Sequence, residues 1–196
     1  ISADGAMSFG SYLANGFRIL SFNAFAVTAI RDDPESKSYS LWLTAILALA
    51  VAGMYAALVS LFSSVLMPLL LVETGFQAGL HSLILFGIVF VAVFVLLLIS
   101  AGVLHLLARM FGGTASITQF YSVMLVLNFA LMLLNIPVLF LGMIPILGPL
   151  ISLASFIYSI SLVVFILRQT YALSTGRAVA VVLLPIVLIF LIMLVI

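Results

Sequence analysis

The sequence contains no cysteine and very little charge. Six Lys or Arg and five Asp or Glu amount to 6% of its 196 residues, and the formal net charge is +1. Without cysteine, these residues form no disulfide and carry no thiolate chemistry. A soluble domain has roughly a quarter charged residues, so the scarcity of charge excludes a water-soluble globule. The small net charge and the lack of a basic stripe argue against nucleic acid as a partner.

Long apolar runs take the place of the missing charge. Hydrophobic residues make up 67% of the chain. A membrane barrel shows alternating segments of about ten residues, whereas these runs continue for about twenty. Because backbone groups in lipid must be hydrogen-bonded within their own segment, runs of this length form helices. The sequence therefore predicts an all-α protein, a polytopic membrane helical bundle surrounded by the lipid bilayer.

Breaks rich in proline, glycine or charge divide the region 41–196 into five predicted transmembrane helices. These spans cover residues 41–67, 80–107, 119–141, 150–167 and 178–196. Each is long enough to cross a hydrocarbon core of roughly 30 Å. Residues 1–40 are predicted to form an N-terminal segment with one short cytoplasmic interfacial helix at 17–30. That helix either lies on lipid or packs against the bundle or a partner, and its pattern of apolar residues leaves both open.

The distribution of basic residues gives the predicted orientation. With five spans, one side of the membrane receives every Lys and Arg of the chain: Arg18, Arg31, Lys37, Arg109, Arg168 and Arg177. Cytoplasmic loops are the ones enriched in these residues. We therefore expect a multi-pass protein with a cytoplasmic N-terminus and a C-terminus that is outside or lumenal.

The titratable residues of the spans do not form a predicted catalytic site. Enzymes that work inside membranes need paired acids, a metal-binding cluster or a Ser/His pair at bilayer depth. Glu73 and His81 lie near the outer end of the second span, whereas His105 lies near its inner end. The sequence therefore predicts no enzyme, no metal and no cofactor.

Two asparagines mark a candidate polar face on the third span. Asn128 and Asn135 are seven residues apart and so lie on the same side of a helix. One interpretation is hydrogen bonding between helices, worth about 1 kcal/mol per bond. The other is a polar face that lines a cavity for a solute or a lipid headgroup.

Two further sets of residues are candidates for contact sites. Small residues recur every four positions on the first span, which predicts a helix-packing seam or a partner seam at Ala48, Ala52, Ala56 and Ser60. Basic residues flank the inner ends of three spans at Arg109, Arg168 and Arg177. These arginines either set the topology or form a headgroup-binding cluster, since basic pockets between spans bind anionic lipids.

Several short motifs follow one another in a characteristic order. The predicted interfacial helix ends in RDDP at 31–34, and the second span closes on HLLARMFGGTAS at 105–116. A proline-broken connection joins the third and fourth spans, and ALSTGRA at 172–178 leads into the fifth. In this order and spacing, over about residues 17–196, they resemble the Yip domain family, the Ypt/Rab-interacting membrane proteins.

The resemblance implies a five-span bundle with a cytoplasmic N-terminus and a role as a scaffold. Eukaryotic members are similar to scaffolds that bind one another and lipidated small GTPases in vesicle transport. The Asp-Leu-Tyr-Gly-Pro motif and the long N-terminal region of that branch are absent from these residues, so GTPase binding is not expected. The chain looks more like the prokaryotic branch, which places it in an inner or plasma membrane.

Two functions remain open on the sequence. The first is a non-enzymatic membrane scaffold or accessory subunit that acts through contacts with another membrane protein or within a homo-oligomer. The alternative is a small-solute or lipid transporter that uses the face of Asn128 and Asn135. A coupled transporter needs an ionisable group near the midplane of the bilayer, and the spans offer none there.

Overall fold

The computed structural model describes residues 7–69, 75–142, 144–145 and 147–195, and for residues 58–69, 75–83, 85, 139–140, 142, 189 and 195 only the backbone is described. Within these ranges the chain is helical and contains no strand. It forms seven helices: α1 (Phe9–Ile19), α2 (Ala24–Asp32), α3 (Ser36–Leu69), α4 (Gly75–Met110), α5 (Ile117–Gly142), α6 (Leu147–Tyr171) and α7 (Thr175–Val195).

Five of the helices are long and apolar enough to cross a membrane. The candidate spans are Ser36–Ala57, Phe86–Met110, Ile117–Val138, Leu147–Tyr171 and Thr175–Leu194. The all-α bundle with five spans is thereby confirmed.

The predicted interfacial helix at 17–30 is wrong as a single helix. The structure has two helices here, α1 and α2, separated at residues 20–23. Phe22 adopts a left-handed backbone conformation with φ of 57°, which no helix can contain. The side chain of Asn23 then accepts a hydrogen bond from the Ala26 N–H and caps the new helix. A chain reversal therefore divides a segment whose apolar pattern is continuous.

The chain divides into two compact units. The first contains residues Ile1–Leu41 and Ser100–Ile196, and the second contains Trp42–Ile99. The first unit thus holds α1, α2, α5, α6 and α7 with the start of α3 and the end of α4. The second holds the remainder of α3 and α4, where the rings of Phe90 and Phe94 stack along α4 at a centroid distance of 6.4 Å.

The core of the first unit is built around α5. This helix packs against α1, α2 and α6, while α7 packs against α6. Because neighbours cover several of its sides, α5 buries a nearly continuous run of side chains at Phe120, Ser122, Val123, Met124, Leu125, Val126, Leu127 and Ala130. The helices α1 and α2 are therefore integral parts of the first unit.

Candidate functional site

The first helix is held against α5 by one hydrogen bond and one close approach. The Tyr12 hydroxyl donates to the Ser122 carbonyl oxygen at 2.7 Å, and the Tyr12 side chain is fully buried. One turn further along, a Cβ on Gly16 would lie 2.4 Å from Val126 Cγ2. Real Cβ contacts do not reach this distance, so glycine at this position lets the two helices approach closely.

The helix ends of the first unit that carry basic residues lie together. The Arg31 guanidinium donates to the Gln169 carbonyl at the end of α6, and Arg177 at the start of α7 reaches the Phe111 carbonyl after α4. Lys37 lines the same cavity as Ser116, which precedes α5. We call this region, residues 31–37, 109–122 and 168–177, the basic end of the first unit.

An open cavity of about 510 Å³ lies at the basic end. It is lined by the α2–α3 connection and by the first turns of α5, and most of its lining is charged or hydroxylated: Arg31, Asp32, Asp33, Pro34, Ser36, Lys37, Ser116, Thr118, Gln119 and Ser122. Charges of both signs and several hydroxyls therefore face one space. Such a lining offers both donors and acceptors to a polar ligand or to a polar segment of a partner.

Local hydrogen bonds hold the walls of this cavity. Ser36 Oγ donates to the Asp33 carbonyl at 2.7 Å and lies 3.1 Å from Ser122 Oγ, which joins the start of α3 to α5. Asp33 Oδ1 accepts from the Met7 N–H at 2.9 Å, while Oδ2 is buried without a hydrogen-bond partner within the described ranges. These hydrogen bonds fix the walls of the cavity. Asp33 Oδ2 remains able to accept a hydrogen bond from a ligand or a partner.

The start of α5 has a capping box. The Ser116 N–H donates to Gln119 Oε1 at 3.0 Å, and the Gln119 N–H donates to Ser116 Oγ at 3.3 Å. This reciprocal pair fixes where α5 begins, at the edge of the cavity. The sequence pattern Ser116-x-x-Gln119 before an apolar run was the available signal for it, and our sequence analysis missed it.

At the end of α2, Arg31 and Asp32 form an ion pair in the lining of the cavity. Arg31 Nε and Nη2 donate to the two carboxylate oxygens of Asp32 at 2.8 and 2.9 Å, and Nη1 donates to the Gln169 carbonyl at 3.2 Å. The hydrogen bond from Arg31 lowers the pKa of Asp32 below its usual value. Arg31 therefore links α2 to the end of α6 while keeping its ion pair.

Two of the three arginines proposed for headgroup binding meet at one turn. Gly112, with φ of 91°, ends α4 in a Schellman motif, in which the Gly113 N–H donates to the Ala108 carbonyl. Arg109 Nη1 donates to the Gly113 and Thr114 carbonyls at 3.3 and 3.2 Å, and Arg177 Nη1 donates to the Phe111 carbonyl at 3.4 Å.

The third arginine of that set is not part of this hydrogen-bonding arrangement. Arg168 is exposed near the end of α6, and among the described residues no hydrogen bond joins it to the turn at 111–114. The structure therefore brings Arg109 and Arg177 to the same turn, and among the described residues Arg168 makes no hydrogen bond there.

The histidine of the described region has a structural partner. His105 Nδ1 lies 2.5 Å from the Tyr171 hydroxyl, which joins the end of α4 to the end of α6. In the part of the chain that the structure describes, no group of three His, Cys, Asp or Glu could hold a metal ion. The Glu73 residue and the His81 side chain lie outside the described part. The described contacts of His105 thus join two helices.

The two asparagines of the predicted polar face have different surroundings. Asn135 Oδ1 accepts a hydrogen bond from Ser155 Oγ of α6 at 3.0 Å. Asn128, two turns earlier, is half-buried, and no hydrogen bond of its side chain is found among the described residues. One amide therefore joins two helices, while the other remains open to a further partner.

The small-residue seam on α3 is largely buried. Ala48 and Ala52 are fully buried, and Ala56 is half-buried. The side chain of Ser60 lies outside the described part. These placements are compatible with a packing seam, and whether it also contacts a partner stays a prediction.

Comparison with known proteins gives the family. No curated protein and no solved structure matches the chain. The family model described as the Yip1 domain matches residues 17–196, which include α2 to α7 and the cavity. The match also includes the turn at 111–114 to which Arg109 and Arg177 donate, which we call the arginine turn. Since this match covers more than half of the sequence, the chain belongs to the Yip1 domain family.

Proposed function

We propose that this Yip-family membrane protein is a scaffold or accessory subunit that acts through contacts with another membrane protein. The observation that carries the proposal is the cavity at the basic end. Its lining of both charges and several hydroxyls is suited to a polar loop or terminus of a partner. Because the cavity is open and lies at the ends of helices, a segment of a partner protein can reach it.

The pairing of polar groups within the spans supports the same role. His105 contacts Tyr171, and Asn135 accepts from Ser155, so these groups join helices of the protein's own bundle. Interhelical hydrogen bonds of this kind stabilise a bundle by about 1 kcal/mol each. The proposal therefore includes no enzymatic activity and no cofactor, and the partner is a membrane protein or a second copy of this chain.

The proposed orientation places the basic end in the cytoplasm. Arg31, Lys37, Arg109 and Arg177 all belong to this end, and cytoplasmic segments are the ones enriched in basic residues. We propose a location in the inner or plasma membrane of a prokaryote. Binding of a small GTPase is not part of the proposal.

Affinity purification from native membranes tests the scaffold role. The intact complex is analysed by mass spectrometry for the parent chain and for Thr118→Tyr, which fills the cavity from the first turn of α5. Thr175→Tyr is the matched control, because it places the same exposed substitution in the first turn of α7, away from the cavity lining. We expect a second membrane protein, or a second copy, at fixed stoichiometry with the parent and with Thr175→Tyr.

Loss of that component with Thr118→Tyr alone supports the cavity as the contact site. Equal recovery with both variants would show that contact is made elsewhere. Recovery of a monomer with no protein partner in every case would contradict the scaffold role.

Permeation of a small solute or lipid is the second candidate function. The half-buried Asn128 favours it, because an amide without a hydrogen bond among the described residues is available to a passing polar group. Asn128→Leu combined with Asn135→Leu is expected to abolish flux in proteoliposomes while the protein stays folded. Retained flux would exclude this face from any transport.

A further inference from the structure

The helices α1 and α2 form a hairpin alongside the candidate spans. Tyr12 contacts Ser122. Gly16, four residues further along α1, contacts Val126, which is four residues further along α5. The two helices therefore run in the same direction, and α5 leads away from the basic end. After the reversal at 20–23, α2 returns to the basic end, where Arg31 reaches the Gln169 carbonyl.

The reversal of the hairpin lies near the middle of α6. The Tyr158 hydroxyl donates to the Leu20 carbonyl, and the Phe22 ring contacts the rings of Tyr158 and Phe165 at centroid distances of 6.0 and 5.4 Å. Tyr158 is thirteen residues before Tyr171, the last residue of α6. Phe165 is six residues before Tyr171, so at about 1.5 Å per residue the reversal lies roughly 10–20 Å from the basic end of the span.

A depth of this size lies inside the hydrocarbon core of a bilayer. The hydrocarbon core is about 30 Å thick, and the polar headgroup region adds several ångströms on each side. A segment that begins and ends at the basic end but reverses roughly 10–20 Å along a spanning helix therefore enters the hydrocarbon core. A helix that lay on the membrane surface would contact only the last turn of α6.

Several backbone groups at the reversal are hydrogen-bonded within the protein. The last carbonyls of α1 would lack partners in lipid, yet Phe17, Arg18 and Ile19 accept from the N–H groups of Leu20, Ser21 and Phe22. The Leu20 carbonyl accepts from Tyr158, and the Asn23 side chain caps α2. In water these groups need no protein partner, whereas in hydrocarbon each one left unsatisfied costs several kcal/mol.

The outer surface of the hairpin exposes three phenylalanine rings beside the polar residues Arg18, Ser21 and Asn23. Phe17, Phe22 and Phe25 are 44%, 42% and 74% exposed. Arg18, close to the reversal, extends its guanidinium back along α1 to Asn15 Oδ1 at 3.2 Å, in the direction of the basic end. This is how an arginine in a membrane brings its charge toward the headgroups while its methylene groups stay in lipid.

We propose that α1 and α2 form a re-entrant hairpin that enters the membrane from the basic end and reverses within the hydrocarbon core. Acyl chains of that leaflet cover Phe17, Phe22 and Phe25. This inference concerns the arrangement of the chain in the membrane and is independent of the proposed scaffold role.

Cysteine labelling tests the depth of the reversal, since the parent chain has no cysteine. Ser21→Cys places an exposed thiol at the reversal, and Ser174→Cys is the matched control at the basic end. In membranes opened to give access to both faces, we expect a membrane-impermeant maleimide to label Ser174→Cys and not Ser21→Cys. Both variants should be labelled once the protein is denatured. Equal labelling of the two in native membranes would overturn the proposal.

Fluorescence quenching identifies what covers the aromatic face. Trp42 is the single tryptophan and is 68% exposed, so Trp42→Phe with Phe25→Trp moves the reporter to the hairpin without changing the core. We expect quenching by lipids brominated on their acyl chains and little quenching by aqueous acrylamide. Quenching by acrylamide alone would place the hairpin in water. Quenching by neither would mean that protein covers this face, and either result would overturn the proposal.

Discussion

Single side chains decide how closely the helices of the first unit approach. Gly16 lies where α1 meets α5, and the absence of a Cβ lets Val126 fill the space. Gly10, on the same helix, has open space around its Cα. Two glycines in one short helix therefore have different consequences, and only the packing partner distinguishes them.

Replacement of Gly16 by alanine is expected to destabilise the protein. The new methyl group would lie 2.4 Å from Val126 Cγ2, and relieving such a contact costs about 1–3 kcal/mol. Gly10→Ala is the control, and it should be neutral or slightly stabilising, because alanine favours a helix. Thermal unfolding in detergent measures both. Gly16→Ala with Val126→Ala should recover part of the loss, and equal midpoints for the two glycine variants would contradict the close approach.

At the scale of elements, the chain reversal at 20–23 is the feature that sequence reasoning missed. The spacing of apolar residues over 17–30 is compatible with one helix, and no proline or glycine interrupts it after Phe17. Phe22 is held in a left-handed conformation while its ring packs against Tyr158 and Phe165. Those partners are more than a hundred residues away in the chain, so a local pattern could not reveal them.

The small-residue face of α3 leads to a prediction at the same scale. Ala52 is fully buried, whereas Ala57 is exposed on the same helix. Ala52→Leu is expected to lower the stability of the folded protein by about 1–3 kcal/mol through overpacking. Ala57→Leu should change it by no more than about 0.5 kcal/mol. The unfolding midpoint in detergent is the readout, and a midpoint for Ala52→Leu that matches the control would remove this face from packing.

At the scale of the whole molecule, the scarcity of charge leaves the ends of the helices to carry polar contacts. The cavity, the arginine turn and the ion pair of Arg31 with Asp32 all lie at the basic end. The order of the spans follows from the apolar runs and was predictable. The cavity was not, because its walls combine residues 31–37 with residues 116–122.

The number of spans predicts that the two ends of α6 face opposite sides of the membrane. Ser174→Cys follows the end of α6, and Leu147→Cys stands at its start. In sealed vesicles of one orientation, an impermeant maleimide should label one variant from outside and the other only after the vesicles are opened. Labelling of Ser174→Cys from the cytoplasmic side is the expected result. Labelling of both thiols from the same side would contradict the five-span topology.

The arginine turn leads to a prediction about bound lipid. Arg109 and Arg177 donate to carbonyls of the same turn and remain exposed. Replacing either one with glutamine should weaken retention of anionic lipid by about 1 kcal/mol. Native mass spectrometry of the purified protein in mixed lipids measures this, with Arg168→Gln as the control of equal charge change. An equal effect of all three single variants would indicate general attraction without a site at this turn.

The all-helical class and the five spans could be derived from composition and order alone. Lipid forces each spanning segment to satisfy its own backbone, and that demand is met by residues close together in sequence. The pairing of Tyr12 with Ser122, the left-handed Phe22 and the walls of the cavity arise only on folding. They join residues far apart in the chain, such as the 110 positions between Tyr12 and Ser122, and such contacts exist only when α1 and α2 pack against α5 and α6.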